Sequence, residues 1–323
     1  MPVLASSGGV LTGADVAAVN SALTFVQPDF YIDGNYGYDA NPGTSPGLAF
    51  KTPAPLDYLL PLFRKNNNTS RKIVVGFSGV LNYEWSTPKV NDVYLVGLAG
   101  YPRQATTSSV WNGGGATWLS PTSGSAALLQ PNGQGWVVDN IFFNNSATAA
   151  PCVQLVNAGD PPTSNCSESF ILQNCTLTGS DDGLKASDNP NHVLIRNNIF
   201  RGFSGSGDGA ITYAVGLGTG TLLNWRITGN QFLGNANHVT IATAGAEIDH
   251  NSFSYIWGGT TTTTQLVLTS GNDNYVHDNA FALPYSTNNI SGMFAQGTND
   301  RWGPNSFSTA VTTTIFSFGE PSC

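Results

Sequence analysis

Ile195-Arg196-Asn197-Asn198-Ile199-Phe200 returns as Ile227-Thr228-Gly229-Asn230-Gln231-Phe232, and again as Ile248-Asp249-His250-Asn251-Ser252-Phe253. The shared pattern is a β-branched residue, two variable residues, Asn, one variable residue and Phe. Val137-Val138-Asp139-Asn140-Ile141-Phe142 and Val276-His277-Asp278-Asn279-Ala280-Phe281 repeat it in full. Two further copies differ at one position each: Ile171-Leu172-Gln173-Asn174-Cys175-Thr176 has Thr for Phe, and Trp302-Gly303-Pro304-Asn305-Ser306-Phe307 has Trp for Ile/Val. The steps between Asn140, Asn174, Asn198, Asn230, Asn251, Asn279 and Asn305 are 34, 24, 32, 21, 28 and 26 residues. Periods of that size belong to stacked units, each too short for a core of its own.

The pattern predicts an all-β solenoid, a right-handed parallel β-helix. A bend at Asn, which tolerates left-handed backbone, lets the flanking Ile/Val and Phe point into one lumen. Stacking then aligns the seven asparagines in a structural ladder and the apolar residues in columns. Uneven steps place loops of different length between coils. With two or three further coils upstream, the stack should reach about 45 Å. A propeller would need hairpins inside each repeat, and a leucine-rich repeat would show Leu where Ile and Phe stand.

Outward from the repeat, three segments are expected. Residues 1–28 hold a short helical pattern (Val16, Ala17, Val19, Ala22, Leu23) and read as an arm or cap. Residues 29–130 read as N-terminal coils with strands at Lys72–Phe77, Val93–Gly97 and Ala126–Leu129. They also contain a capping helix carrying Leu56, Leu59, Leu60 and Phe63, short or kinked at Pro61. Residues 131–323 read as the regular coils, with Thr312–Phe318 as a possible C-terminal closure.

Only 10% of the 323 residues are charged, against roughly 25% in ordinary soluble chains. That suits an extracellular, virion or cell-surface β protein. The net charge of −8, without a Lys/Arg run, excludes a nucleic-acid partner. The acidic balance and the lack of a long apolar run predict no membrane partner. The start, from Met1 to Gly8, lacks the basic and apolar regions of a signal peptide. The expectation is therefore a protein that stays where it was made or leaves by lysis or within a particle, with the virion surface as the location and an extracellular or cell-surface place as the alternative. Cys152, Cys166, Cys175 and Cys323 fit no zinc motif and read as buried or incidental thiols, with a Cys152–Cys166 disulfide as the alternative.

The chain resembles the pectate-lyase-like superfamily of right-handed β-helix proteins, of phage and bacterial surface type. The resemblance covers the Asn-centred repeat, about 170 residues in extent. It also covers the opening Tyr31-Ile32-Asp33-Gly34-Asn35, Gly43-Thr44-Ser45-Pro46 and Phe50-Lys51-Thr52. It implies the fold and leaves the function open among lyases, hydrolases, tailspikes and non-catalytic surface proteins.

Aligned by Asn, the repeats bring Asp182, Asp208 and His238 into one column. Asp181 stands beside Asp182 in Gly179-Ser180-Asp181-Asp182-Gly183, and Gly205-Ser206-Gly207-Asp208-Gly209 looks like the same turn one coil on. Paired carboxylates are what glycoside hydrolysis needs, and closeness pushes one pKa up. The tandem Asp resembles polygalacturonase-like hydrolases, but their Gly-His-Gly and Arg-x-Lys motifs are missing. Asp-Gly also marks tight turns without any chemistry. Arg196, Arg201 and Arg226 lack the surroundings of a lyase base. Asp249-His250 and His277-Asp278 read as exposed polar stacking before a metal site, and no metal or other cofactor is expected. Tyr31, Tyr36, Tyr38, Trp85, Trp111, Trp118, Tyr255 and Trp257 are either sugar platforms or packing under loops.

Three functions fit. The first is a virion structural protein (tailspike, fibre or capsid decoration) that self-assembles, as a trimer, and contacts other virion proteins or a surface polysaccharide. The second is a polysaccharide hydrolase or lyase using Asp181, Asp182 and Asp208. The third is a bacterial surface or filament-forming β-helix.

Overall fold

The structure, a computed structural model, describes residues 27–67, 71–98, 116–121, 126–145, 150–156, 167–187, 190–204, 208–214, 222–254, 264–268, 272–282 and 294–307. Within them, short strands alternate with turns so that successive coils lay down three long sheets. The first sheet has ten strands, from Phe30–Asp33 to Arg301–Trp302. The second has nine, from Val80–Asn82 to Ser306–Phe307, and the third has eight, from Trp85–Ser86 to Phe294–Ala295. Neighbouring strands are parallel throughout, as in Ile195↔Ile227 and Phe232↔Phe253. The chain is a right-handed parallel β-helix. Among the described residues, no helix is long and apolar enough to cross a membrane.

The lumen is filled by columns of one residue per coil. Leu95, Val138, Leu172, Ile195, Ile227, Ile248, Val276 and Trp302 align on the first sheet. Phe143, Leu177, Phe200, Phe232, Phe253, Phe281 and Phe307 align on the second. The last five are stacked rings with centroids 4.6–5.3 Å apart, a spacing set by the strand separation and favourable for aromatic pairs. One contiguous apolar core runs from Phe30 to Trp302, across the junction near residue 130.

The register corrects the phase of two repeats. Leu172 pairs with Ile195 and Leu177 with Phe200, so the true frame at that coil starts at Leu172, and at the coil before it at Val138. Asn140 and Asn174 therefore stand one place before the ladder, where Ile141 and Cys175 are buried instead. The ladder proper is Asn198, Asn230, Asn251, Asn279 and Asn305. Each of the first four gives its backbone N–H and its amide Nδ2 to the next Oδ1, at 2.9–3.0 Å.

The bend is also one residue earlier than expected. The left-handed residues are Asn140, Asn174, Asn197, His250 and Asp278, at φ 53–58°, and Gly229 at 66°. The ladder amide is thereby turned inward, and the preceding residue takes the strained backbone. A second left-handed column lies five residues upstream, at Gly135, Ser169, His192, Asn224, Gly245 and Asp273. Together these columns bracket six strands of the first sheet, from Val137–Asp139 to Tyr275–His277.

At the N-terminal end, Leu56–Asn67 forms the capping helix. Leu56 and Leu60 are fully buried, and the Phe63 ring meets Phe30 of the edge strand edge-on at 5.4 Å. The helix runs through Pro61 instead of stopping there. Proline deprives the Asp57 carbonyl of its donor, but Asp57 and Pro61 both face solvent, where water serves. The expected strands appear at Ile73–Ser78, Val93–Gly97 and Leu129–Gln130. Residues 1–26, Thr312–Phe318, Cys166 and Cys323 lie outside the described residues. Cys152 and Cys175 are buried free thiols.

Candidate active site

Asp181 and Asp182 sit in the turn between Thr176–Gly179 and Leu184–Ser187, and Asp208 directly precedes Gly209–Ala214 on the next coil. These third-sheet strands are neighbours, with Leu184↔Ile211 and Lys185↔Thr212 in register. The two Asp-Gly steps are tight turns for a steric reason. A Cβ on Gly183 would lie 2.6 Å from the Ala210 carbonyl oxygen, and one on Gly209 would lie 2.9 Å from that of Asn237. The turns thus bring coils close and, in doing so, juxtapose their acids. One carboxylate oxygen from each of Asp181, Asp182 and Asp208 lies within 4.8 Å of the other two.

The three are not equivalent. Asp182 is 2% exposed; its Oδ1 accepts the Gly209 N–H at 2.9 Å, and its Oδ2 pairs with the Lys185 ammonium at 2.9 Å. Burial nevertheless holds Asp182 above the usual carboxylate range. Lys185 is less buried. Burial lowers its pKa, but the hydrogen bond to Asp182 and the nearby acids outweigh that and leave it above the ordinary lysine value. Burial also raises Asp181, and its hydrogen bond with the Asp208 carboxyl raises it further.

His238 does not join this group. Gly209 pairs with Asn237, so His238 stands opposite Ala210, two residues past the position that matches Asp208. Its ring is fully buried, 5.9 Å from both Phe232 and Phe253, with Nδ1 facing the Asn235 amide at 3.0 Å. Burial lowers its pKa to about 3, so it is a neutral core residue at ordinary pH.

The outer face of the first sheet carries a second polar group. One ligating atom from each of Glu247, Asp249 and His277 lies within 4.8 Å of the others, a donor set that fits a divalent ion. A guanidinium already sits there: Arg226 reaches Glu247 at 3.3 Å and Asp249 at 3.2 Å. Burial alone would raise Asp249, but hydrogen bonds from His250, Arg226 and Thr228 hold it below the usual range. Upstream, Asp139 accepts from Tyr94, Gln173 and Asn174 at 2.7–2.8 Å, and Arg196 caps Gln173. Arg201 is 6.0 Å from the Phe142 ring, and burial lowers its pKa.

Among the aromatic candidates, Tyr31, Trp85 and Trp118 are buried packing, while Tyr36 and Tyr38 are 90% and 66% exposed. Trp111, Tyr255 and Trp257 lie outside the described residues. Sequence reasoning missed Lys185 and Thr212. The signal for Lys185 was its place three residues after Asp182 in a chain with few cations. Thr212 carries no signal outside its register.

No protein-family model and no curated protein matches the chain. Solved structures do. The Escherichia coli protein YbhC is similar at 11% identity and TM-score 0.44, over 88% of this chain and 86% of that one. The Streptococcus pneumoniae surface protein and adhesin PfbA is similar at 12% identity and TM-score 0.37, over 73% of this chain and 69% of that one.

Proposed function

We propose that this β-helix cleaves a polysaccharide by hydrolysis at a virion or cell surface, with Asp181, Asp182, Asp208 and Lys185 as its reaction site. The observation that carries the reading is the convergence of three carboxylates from two coils, two of them with raised pKa. Perturbed acids with named partners are a mark of acid–base sites. Asp181 holds a proton against Asp208 and is the general acid: it protonates the leaving glycosidic oxygen as the C–O bond breaks. Asp182, oriented by the Gly209 N–H and Lys185, takes a proton from the water whose oxygen adds to the anomeric carbon. The balance is one water consumed and one new reducing end per bond cut.

Release of reducing ends from a polysaccharide panel tests this. Wild type should release sugar, and Asp181→Asn and Asp182→Asn should each lower the rate by about 10²–10⁴. No release from any polymer, or release unchanged in both variants, overturns the hydrolytic reading.

The second reading is a virion structural protein without catalysis, a tailspike, fibre or decoration protein that assembles with itself as a trimer. The low proportion of charged residues, 10%, favours it. Solution mass checks it: a closed trimer supports this reading, and concentration-dependent filaments favour a head-to-tail surface fibre instead.

A further inference from the structure

We infer that the polymer is a neutral glycan and not a polyuronate, a statement that rests on the reaction site proposed above. The argument begins with the sheet that carries the site. The register of the third sheet aligns Gln154, Lys185, Thr212, Thr240, Val267 and Ala295 in one column beside the acids. Lys185 is the only charged member of that column, and its ammonium is 2.9 Å from Asp182.

The loops add no cation. From residue 146 to residue 300 the sequence contains four basic residues: Lys185, Arg196, Arg201 and Arg226. All four lie within strands, so no segment leading into or out of the third sheet over that span holds Lys or Arg. Arg196 and Arg226 belong to the first sheet and are engaged with Gln173 and with Glu247 and Asp249. Arg201 lies on the second sheet beside Phe142. The same span holds eight further acidic residues against those four cations. The single Lys185 ammonium does not neutralise a group of three carboxyl side chains. A chain carrying a carboxylate on every sugar would meet repulsion and no counter-charge, which is how a site rejects a ligand.

A second observation points to an uncharged, hydroxyl-bearing ligand. Thr212 is 8% exposed, and its Oγ1 has no hydrogen-bond partner among the described residues. It is in register with Lys185, and its Cγ2 lies over Gly209, whose N–H binds Asp182. A buried hydroxyl without a partner is costly. A sugar hydroxyl, donor and acceptor together, satisfies it once rotation about χ1 brings the covered Oγ1 to the surface.

The test is retardation of the full chain by polymers cast into native gels, alongside reducing-end release. Neutral glucans, galactans and mannans are compared with polygalacturonate and alginate, each with calcium and with chelator. Neutral polymers alone should retard the chain, with less than about a twofold change between low and high salt. Thr212→Val should weaken that retardation about threefold to tenfold, the worth of one hydrogen bond, while circular dichroism stays unchanged. Retardation by a uronate polymer equal to or stronger than by any neutral one, with or without calcium, overturns the inference. Retardation by neither class overturns it too. Neutral binding without cleavage supports the inference and removes the hydrolytic reading.

Discussion

The left-handed residues and the ladder asparagines stand next to each other in sequence and make opposite demands. Asp273, at φ 58° and exposed, needs only its backbone conformation. Asp273→Gly should be neutral or slightly stabilising, and Asp273→Val should cost about 1–2 kcal/mol in denaturant unfolding. Asn230 is buried, accepts from Asn198, and donates to Asn251 and to the Ile195 and Thr228 carbonyls. Asn230→Ala strands several of these groups and should cost about 3 kcal/mol. His238 has a folded pKa of about 3 against an ordinary 6.5. Between those values the unfolded chain binds the proton and the folded chain does not, so stability falls as pH falls. The slope reaches about 1.4 kcal/mol per pH unit. His238→Leu should remove that slope; an unchanged dependence would show that the ring is not buried neutral. Asp181 is held the other way, its neutral form favoured, so ionisation destabilises the fold as pH rises. Asp181→Asn should therefore raise stability at pH 7, read as a higher urea midpoint, while activity falls. The acidic site was legible because Asp-Gly recurs on adjacent coils. The error on His238 arose because counting from Asn ignores the differing lengths of the turn before the third sheet.

At the scale of elements, the repeat announced the strands well and its own phase less well. Five copies were in frame because Asn and Phe both occupy their lumen columns. The two earliest were read one residue out because Asn140 and Asn174 are bend residues that imitate the ladder asparagine. Composition cannot separate the two, since a left-handed bend and an amide ladder both favour Asn; the apolar columns can. Leu172 and Leu177 fill theirs, whereas Ile171 and Thr176 do not. The capping helix was legible from its apolar spacing, and Pro61 misled because its missing donor is on the wet side. Asp57 in the first turn, with Arg64 and Lys65 in the last, complements the helix dipole. Pro61→Ala restores the bond to Asp57 and should stabilise the helix by about 1 kcal/mol or more, read as a shift in urea midpoint.

For the whole molecule, the continuous core from Phe30 to Trp302 makes the coils near residue 130 neighbours within one lumen. Urea unfolding followed by tryptophan fluorescence, which senses Trp85, Trp118 and Trp136 in the early coils and Trp225 and Trp302 in the late ones, should therefore coincide with unfolding followed by circular dichroism. Two separated transitions would show that part of the stack melts alone. The ladder adds a direction to this stack. Each ladder backbone N–H from Asn198 to Asn279 takes its acceptor, an Asn Oδ1, from the following coil, while each amide nitrogen also donates back to a carbonyl of the preceding coil. A ribosome delivers the chain in that same order, so each coil is completed by the arrival of its successor. The nascent protein is then a zipper with one open tooth, and the polar interior stays unsatisfied at a single moving front until synthesis ends.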